Sequence, residues 1–301
     1  MQEEFENHPV ANSDVIEDDI RTAMPCILKI LLLDRTTSQN IIWANDNYSK
    51  EYGDVYSATA QITPELITGE RRNLIMPRAL KTTALQKKRT KTIAEVFTPT
   101  WVVKKQNDAV DVDYRDDDLE RYTRRKWLEI TCGEAPYMAT RYDMASGEIM
   151  AIIDRVGFID RKLARINTEV TDKAEWQRLV EWAYKSSYGF EWNGDSLLLA
   201  RENLLYTYRD YYVEKWGEPP IYGLLEIIAK IISYNVFQMD GLTYTIPLSE
   251  KREKIQNYQL SFFDMDGQKK TEWHILPGRR VKIMNWDTNK MEYFDKGLKR
   301  L

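Results

Sequence analysis

Between residues 171 and 240 the sequence alternates helix-like and strand-like stretches, and this alternation restricts the fold more than any other feature. Thr171-Asp172 is suited to cap a helix in which Trp176, Leu179, Val180, Ala183 and Tyr184 recur on one face. Ser186-Ser187 ends it, and Tyr188-Gly-Phe-Glu-Trp192 follows as a strand closing on an acid, Glu191. Asn193-Gly-Asp195 turns the chain into a helix over 196–212, with Leu198, Arg201, Leu205 and Tyr208 at helical spacing. Gly217-Glu-Pro-Pro220 breaks that helix as a plain helix–helix loop. A strongly apolar helix over 221–233 leads to a strand over 235–240 that also ends in an acid, Asp240. Strands separated by helices of this length predict a parallel sheet with crossover helices, an α/β fold.

A further strand precedes these. Trp127, Leu128 and Ile130 predict a short buried strand, and the small residues Thr131, Cys132 and Gly133 then make a tight turn before Glu134, Ala135 and Pro136. Gly133 tolerates a positive φ and has no side chain to keep a ligand off the backbone. Open α/β sheets bind ligands beyond the carboxyl ends of their strands. A small-residue turn and two strand-end acids form the layout of a nucleoside-cofactor site. The turn approaches the cofactor, one acid takes ribose hydroxyls and another accepts from an adenine amine. Taken alone, the turn reads first as an ordinary strand-to-loop connection, because one glycine is not a glycine-rich fingerprint.

The flanking regions are less regular. Residues 1–20 are acidic and aperiodic, a poorly ordered leader without the basic start of a signal peptide. Pro25 opens a short buried helix ending near Asp34, with Cys26 as a structural cysteine inside it. Residues 40–44 form a strand closed by a turn at 45–47. From 71 to 91 the chain carries Arg71, Arg72, Arg78, Lys81, Lys87, Lys88, Arg89 and Lys91 with no acid among them. That stretch is either a phosphate-contacting arm or a solvated face. Pro99 keeps Thr98 extended, with a helix starting after it. Residues 108–120 form an exposed acidic loop and 141–165 an insertion in which Leu163 packs inward. The segment 251–266 is turn-like, and strands over 279–286 and 291–294 form a hairpin about Asp287-Thr-Asn289.

Composition removes several classes. Hydrophobic residues at 43% and charged residues at 30% describe a globular chain rather than a disordered one. No apolar run is long enough to span a bilayer. Two cysteines and two histidines, far apart, offer neither a disulfide framework nor metal-ligand spacing and suit a reducing cytoplasm. A net charge of −4 confines any nucleic-acid contact to local basic patches.

Glu95-Val-Phe-Thr-Pro99, the stretch 128–136, Tyr188-Gly-Phe-Glu191, Leu199-Ala-Arg-Glu-Asn-Leu204 and Gln238-Met-Asp-Gly-Leu242 follow one another in an order that resembles the N6-adenine DNA methyltransferases, most closely the modification ("M") subunits of restriction–modification systems. The likeness covers residues 90–245. It implies a Rossmann-like S-adenosylmethionine-dependent methyltransferase sheet in a domain over 92–301, with a mixed N-terminal extension and basic arm over 1–91. It implies S-adenosylmethionine as cofactor and double-stranded DNA, with a catalytic or specificity subunit, as partners. Phe97, Thr98 and Pro99 would close over the methionine end, and Thr131, Cys132, Gly133 and Glu134 would form the cofactor turn. Glu191 would hold the ribose hydroxyls and Asp240 would contact the adenine ring, while Lys87, Lys88 and Arg89 would meet DNA phosphates. The family's Asn/Asp/Ser-Pro-Pro-aromatic tetrapeptide, which holds the target amine and stacks on the flipped base, is not found in this sequence. The catalytic residues are therefore left unassigned. The resemblance implies either a methyltransferase completed by another polypeptide or a non-catalytic scaffold that binds cofactor or DNA. Asn285-Trp286-Asp287 offers an amide, an aromatic and a carboxylate at a strand end, in the pattern of turn residues.

Overall fold

Proline lacks the amide hydrogen that a first helical turn leaves unpaired, and Pro25 opens helix α1 (Pro25–Leu32) of a computed structural model that describes residues 24–81, 98–254 and 273–296. The two-residue strands β1 (Leu33–Asp34) and β2 (Gln39–Asn40) pair antiparallel. Short helices α2 (Ser49–Tyr52) and α3 (Pro64–Ile67) follow. Pro99 heads α4 (Thr100–Asp111), as the sequence predicts, and Asp118 caps α5 (Leu119–Arg124) by accepting from the Arg121 amide. Next come β3 (Trp127–Glu129), α6 (Phe158–Glu169) and α7 (Lys173–Lys185). Asp172 caps α7 by accepting from the Glu175 amide at 2.8 Å, and the buried face of α7 is the apolar set read from the sequence. Then β4 (Ser187–Glu191), α8 (Gly194–Trp216), α9 (Tyr222–Asn235) and β5 (Val236–Gln238) complete the alternation. Gly217, at φ 68°, ends α8 in the left-handed region that favours glycine. Two hairpins follow, β6 (Lys251–Lys254) with β7 (Trp273–Leu276) and β8 (Lys282–Asn285) with β9 (Lys290–Tyr293).

The strands β3, β4 and β5 form a three-stranded parallel sheet in that order, with Glu129 opposite Gly189 and Glu191 opposite Gln238. Side chains alternate between the two faces of such a sheet. Phe190, Phe237 and Met239 point to one face and meet Val281, Ile283 and Phe294 of the C-terminal hairpin region in a small core. Val236 points to the other face and belongs to a large core shared by α1, residues 41–67 and α6–α9. Helix α8 is buried over most of its length. Inside that core Arg201 donates through Nε to the Val236 carbonyl at 2.8 Å and through Nη1 to Leu31 and Leu33, tying α8 to β5 and α1.

Several expectations change. Cys26 is exposed, because α1 turns Ile27, Leu28, Leu31 and Leu32 inward and places Cys26 on its outer side. The end of the 141–165 stretch is part of a helix over 158–169, on which Leu163 is buried as expected, together with Ile166. Residues 251–254 are a strand rather than a turn. The strand β3 is not uniformly buried: Leu128 is 43% and Ile130 67% exposed, whereas Glu129 is 7% exposed. The register explains this inversion. Leu128 shares the face of Tyr188, at the margin of the small core, while Glu129 shares the face of Gly189, which the chain after β3 covers. The leader, Phe97, Lys87, Lys88 and Arg89 lie outside the described residues.

The N-terminal segment packs on the carboxyl edge of the sheet. A Cβ added at Gly194 would sit 2.1 Å from the Ile42 carbonyl oxygen and 2.9 Å from Ile62. Gly194→Ala should therefore lower the unfolding free energy by about 1–3 kcal/mol, the usual cost of overpacking. Urea denaturation measures it, and an unchanged midpoint would contradict the close approach.

Candidate functional site

The chain leaves β3 through three left-handed residues, Thr131 at φ 49°, Gly133 at φ 55° and Ala135 at φ 61°. Only the glycine adopts that region without steric cost. The strain is held by hydrogen bonds: the Cys132 amide donates to the Phe190 carbonyl at 2.8 Å, and the Ala135 amide to the Cys132 carbonyl at 2.7 Å. The turn is thus fastened to the end of β4. Apart from its two chain neighbours, nothing lies within 4 Å of a Cβ built at Gly133, so space is open above it.

Glu191 closes β4 beside this turn. Its Oε2 accepts from the Gly133 amide at 2.9 Å, and its Oε1 accepts from the backbone and side-chain amides of Asn193 at 3.0 and 3.1 Å. The carboxyl is buried, and burial raises its pKa above the ordinary glutamate range. The Met239 amide donates to the Glu191 carbonyl at 3.0 Å, which carries the strand pairing on towards Asp240. Asp240 folds back on its own loop: Oδ1 accepts from the Leu242 amide at 2.8 Å and Oδ2 from the Thr243 hydroxyl at 2.7 Å. The structure therefore brings Gly133 and Glu191 into contact and sets Asp240 at the neighbouring strand end.

The other expected residues occupy different places. Cys132 is buried, and burial raises its thiol pKa. Glu134 is buried with a carboxylate oxygen accepting from the Tyr142 hydroxyl, and the Thr131 hydroxyl is exposed. Thr98 and Pro99 stand at the head of α4, which is attached to the chain beyond the turn. Thr100 Oγ1 donates to Asp143 at 2.8 Å, and Asn107 Nδ2 donates to the carbonyls of Tyr137 at 3.1 Å and Val156 at 3.0 Å. That loop is also bound to α8, where Asp210 Oδ2 receives Arg141 Nε at 2.9 Å and Arg155 Nη2 at 2.7 Å. In the basic stretch, the Arg71 guanidinium lies over the rings of Tyr52 and Tyr56. In the tail, Asn285 Oδ1 accepts from the Asp287 and Thr288 amides, and Trp286 Nε1 donates to Asn235 at 2.8 Å, so these groups shape and anchor the β8–β9 hairpin.

One site residue was not expected from the sequence. Glu129 accepts from the amides of Tyr137 at 3.2 Å and Met138 at 2.9 Å and so holds the far side of the turn. Burial, opposed by those two hydrogen bonds and assisted by the nearby Glu191 charge, pushes its pKa up to about 8. The signal lay in its position: an acid between Leu128 and Ile130 in a three-residue strand, facing opposite to both.

Among the described residues no group of histidine, cysteine and carboxylate side chains could hold a metal, and no helix is long and apolar enough to cross a membrane. Comparison of the chain with family models, curated proteins and solved structures found no match.

A carboxyl that binds its proton more tightly folded than unfolded adds stability below its unfolded pKa and loses it as the pH rises through its folded pKa. For Glu129 that window runs from the ordinary 4.5 up to about 8. Unfolding free energy should fall across it, with this group contributing at most about 1.4 kcal/mol per pH unit. Glu129→Gln, which does not titrate, should flatten the slope in urea titrations at pH 5 to 8. An identical slope in the variant would place the titration elsewhere.

Proposed function

We propose that this chain is the S-adenosylmethionine-binding part of a DNA adenine-N6 methyltransferase of the modification-subunit type, built on a Rossmann-like sheet. The observation that carries the reading is the pairing of Glu191 with the Gly133 amide: a strand-end carboxylate is fixed against a left-handed turn with open space above it. The site fits the cofactor. Glu191 Oε2 accepts from Gly133 and Oε1 from Asn193, and a ribose hydroxyl would be a further donor to this strand-end carboxylate. Asp240, partly exposed at the next strand end, would be the acid that accepts from the adenine amine. The turn keeps the backbone at Gly133 accessible, and Thr98 and Pro99 flank the loop that continues from it. Bound S-adenosylmethionine supplies an activated methyl group on sulfonium sulfur. The protein's share is to orient that group and exclude water around it.

The absence of an Asn/Asp/Ser-Pro-Pro-aromatic tetrapeptide from the sequence supports the second reading, a scaffold that holds cofactor or DNA while a partner supplies the groups for the target base. Calorimetry on the full chain should show S-adenosylmethionine binding, weakened in Glu191→Ala by about 1.5–3 kcal/mol through loss of a charged acceptor. No binding by the wild-type chain would overturn the cofactor reading and leave only a scaffold that holds DNA. Methyl transfer to duplex DNA by the chain alone would favour the enzyme, and transfer only after a partner is added would favour the scaffold.

A further inference from the structure

The segment 40–48 makes its most specific hydrogen bonds with the residues that follow Glu191. Gln238, the last residue of β5, accepts from the Ile42 amide at 3.0 Å and donates to the carbonyls of Ile42 and Trp192, both at 2.8 Å. Trp192 Nε1 donates to the Ala44 carbonyl at 2.8 Å, and Ala44 is left-handed at φ 56°. The Gly194 amide donates to the Trp43 carbonyl at 3.1 Å. The carboxyl edge of β4 is thus lined by backbone from the N-terminal part of the chain.

Within this contact one side chain has a fixed sense. The Asn45 Oδ1 accepts from the Asn47 amide at 3.1 Å, and its Nδ2 donates to the Trp43 carbonyl at 3.0 Å. One partner can only donate and the other can only accept, so the Asn45 amide cannot be reversed without losing both bonds. Its Nδ2 also donates to Asn193 Oδ1 at 3.1 Å. That in turn sets the Asn193 amide, whose Nδ2 then faces Glu191 Oε1 at 3.1 Å. A reversed Asn193 would bring its oxygen against the Glu191 carboxylate and its NH2 against that of Asn45.

From this polarised sequence, Asn45 to Asn193 to Glu191 with Gly133 on the far oxygen, we infer that Asn45 is a positioning residue for the Glu191 carboxylate, and that the N-terminal segment thereby sets the affinity of the site for the ribose hydroxyls of an adenosyl ligand. The inference rests on the cofactor reading of Glu191. Asn45 does not touch the ligand; it acts through Asn193. Its effect should therefore be confined to the part of the binding energy that the hydroxyls contribute.

The test compares S-adenosylhomocysteine with its 2′,3′-dideoxy analogue by calorimetry on the full chain. Wild type should prefer the hydroxylated ligand by about tenfold or more, the worth of a hydrogen bond to a charged acceptor. Asn45→Ala should reduce that preference to near unity while leaving the dideoxy affinity unchanged. Asn193→Ala should also reduce the preference, and in the double variant the preference should fall no further than in Asn193→Ala. Tyr56→Phe, which removes a buried hydroxyl bonded to the Leu66 carbonyl at 2.9 Å, should keep the wild-type preference. Equal loss for both ligands in Asn45→Ala, or a preserved preference, overturns the inference and leaves the cofactor reading standing. If Asn45→Ala does not fold, a preserved preference in Asn193→Ala overturns it instead. Failure of the wild type to bind S-adenosylhomocysteine overturns the cofactor reading and this inference together.

Discussion

A carboxylate buried at the end of a strand must be met by donors, and Glu191 meets three. An unpaired ionised carboxyl in such a place would cost several kcal/mol or more. Two of its donors come from Asn193, at the head of α8, and the third from Gly133, in the turn after β3. One side chain therefore joins the end of β4 to a turn residue 58 positions earlier in the chain. The sparse β3 depends on this junction, since its own pairing covers only three residues.

The two faces of the sheet divide the work around that junction. The face carrying Phe190 and Phe237 is closed by the C-terminal hairpin region. The face carrying Glu129, Gly189 and Glu191 is closed by the turn itself. A Cβ at Gly189 would lie 3.1 Å from Met138 Sδ and 3.4 Å from Cys132 Sγ, so glycine there lets the turn lie down on β4. Burial is the main cause that pushes the Glu129 pKa up to about 8, and the nearby Glu191 charge on the same covered face adds to it.

Much of this architecture was legible locally. The helix α7 has an Asp172 cap and five apolar residues at helical spacing, and the structure buries the same five. The parallel sheet followed from the strand–helix alternation, and Gly133, Glu191 and Asp240 stood out because small turns and acids at strand ends are local features. What failed was nonlocal. Burial of Glu129 instead of Leu128 depends on the register with β4 and on what covers each face. Exposure of Cys26 depends on how α1 is rotated against its neighbours. The helix α6 was hidden because Asp160 and Lys162 are buried on it, which blurs its apolar stripe; Lys162 is satisfied by Arg125, Ser186 and Ser187 at the base of the sheet. The link from Asn45 to Asn193 spans 148 residues and has no sequence signature.

The central claim is that the junction of Gly133, Glu191 and Asn193 is where an adenosyl ligand binds. Amide NMR of the full chain titrated with S-adenosylmethionine addresses it residue by residue. The expected result is saturable shifts at Gly133, Trp192, Asn193 and the Asp240 loop, with the β8–β9 hairpin unmoved. A spectrum that does not respond, or responses confined to residues away from this edge, would contradict it.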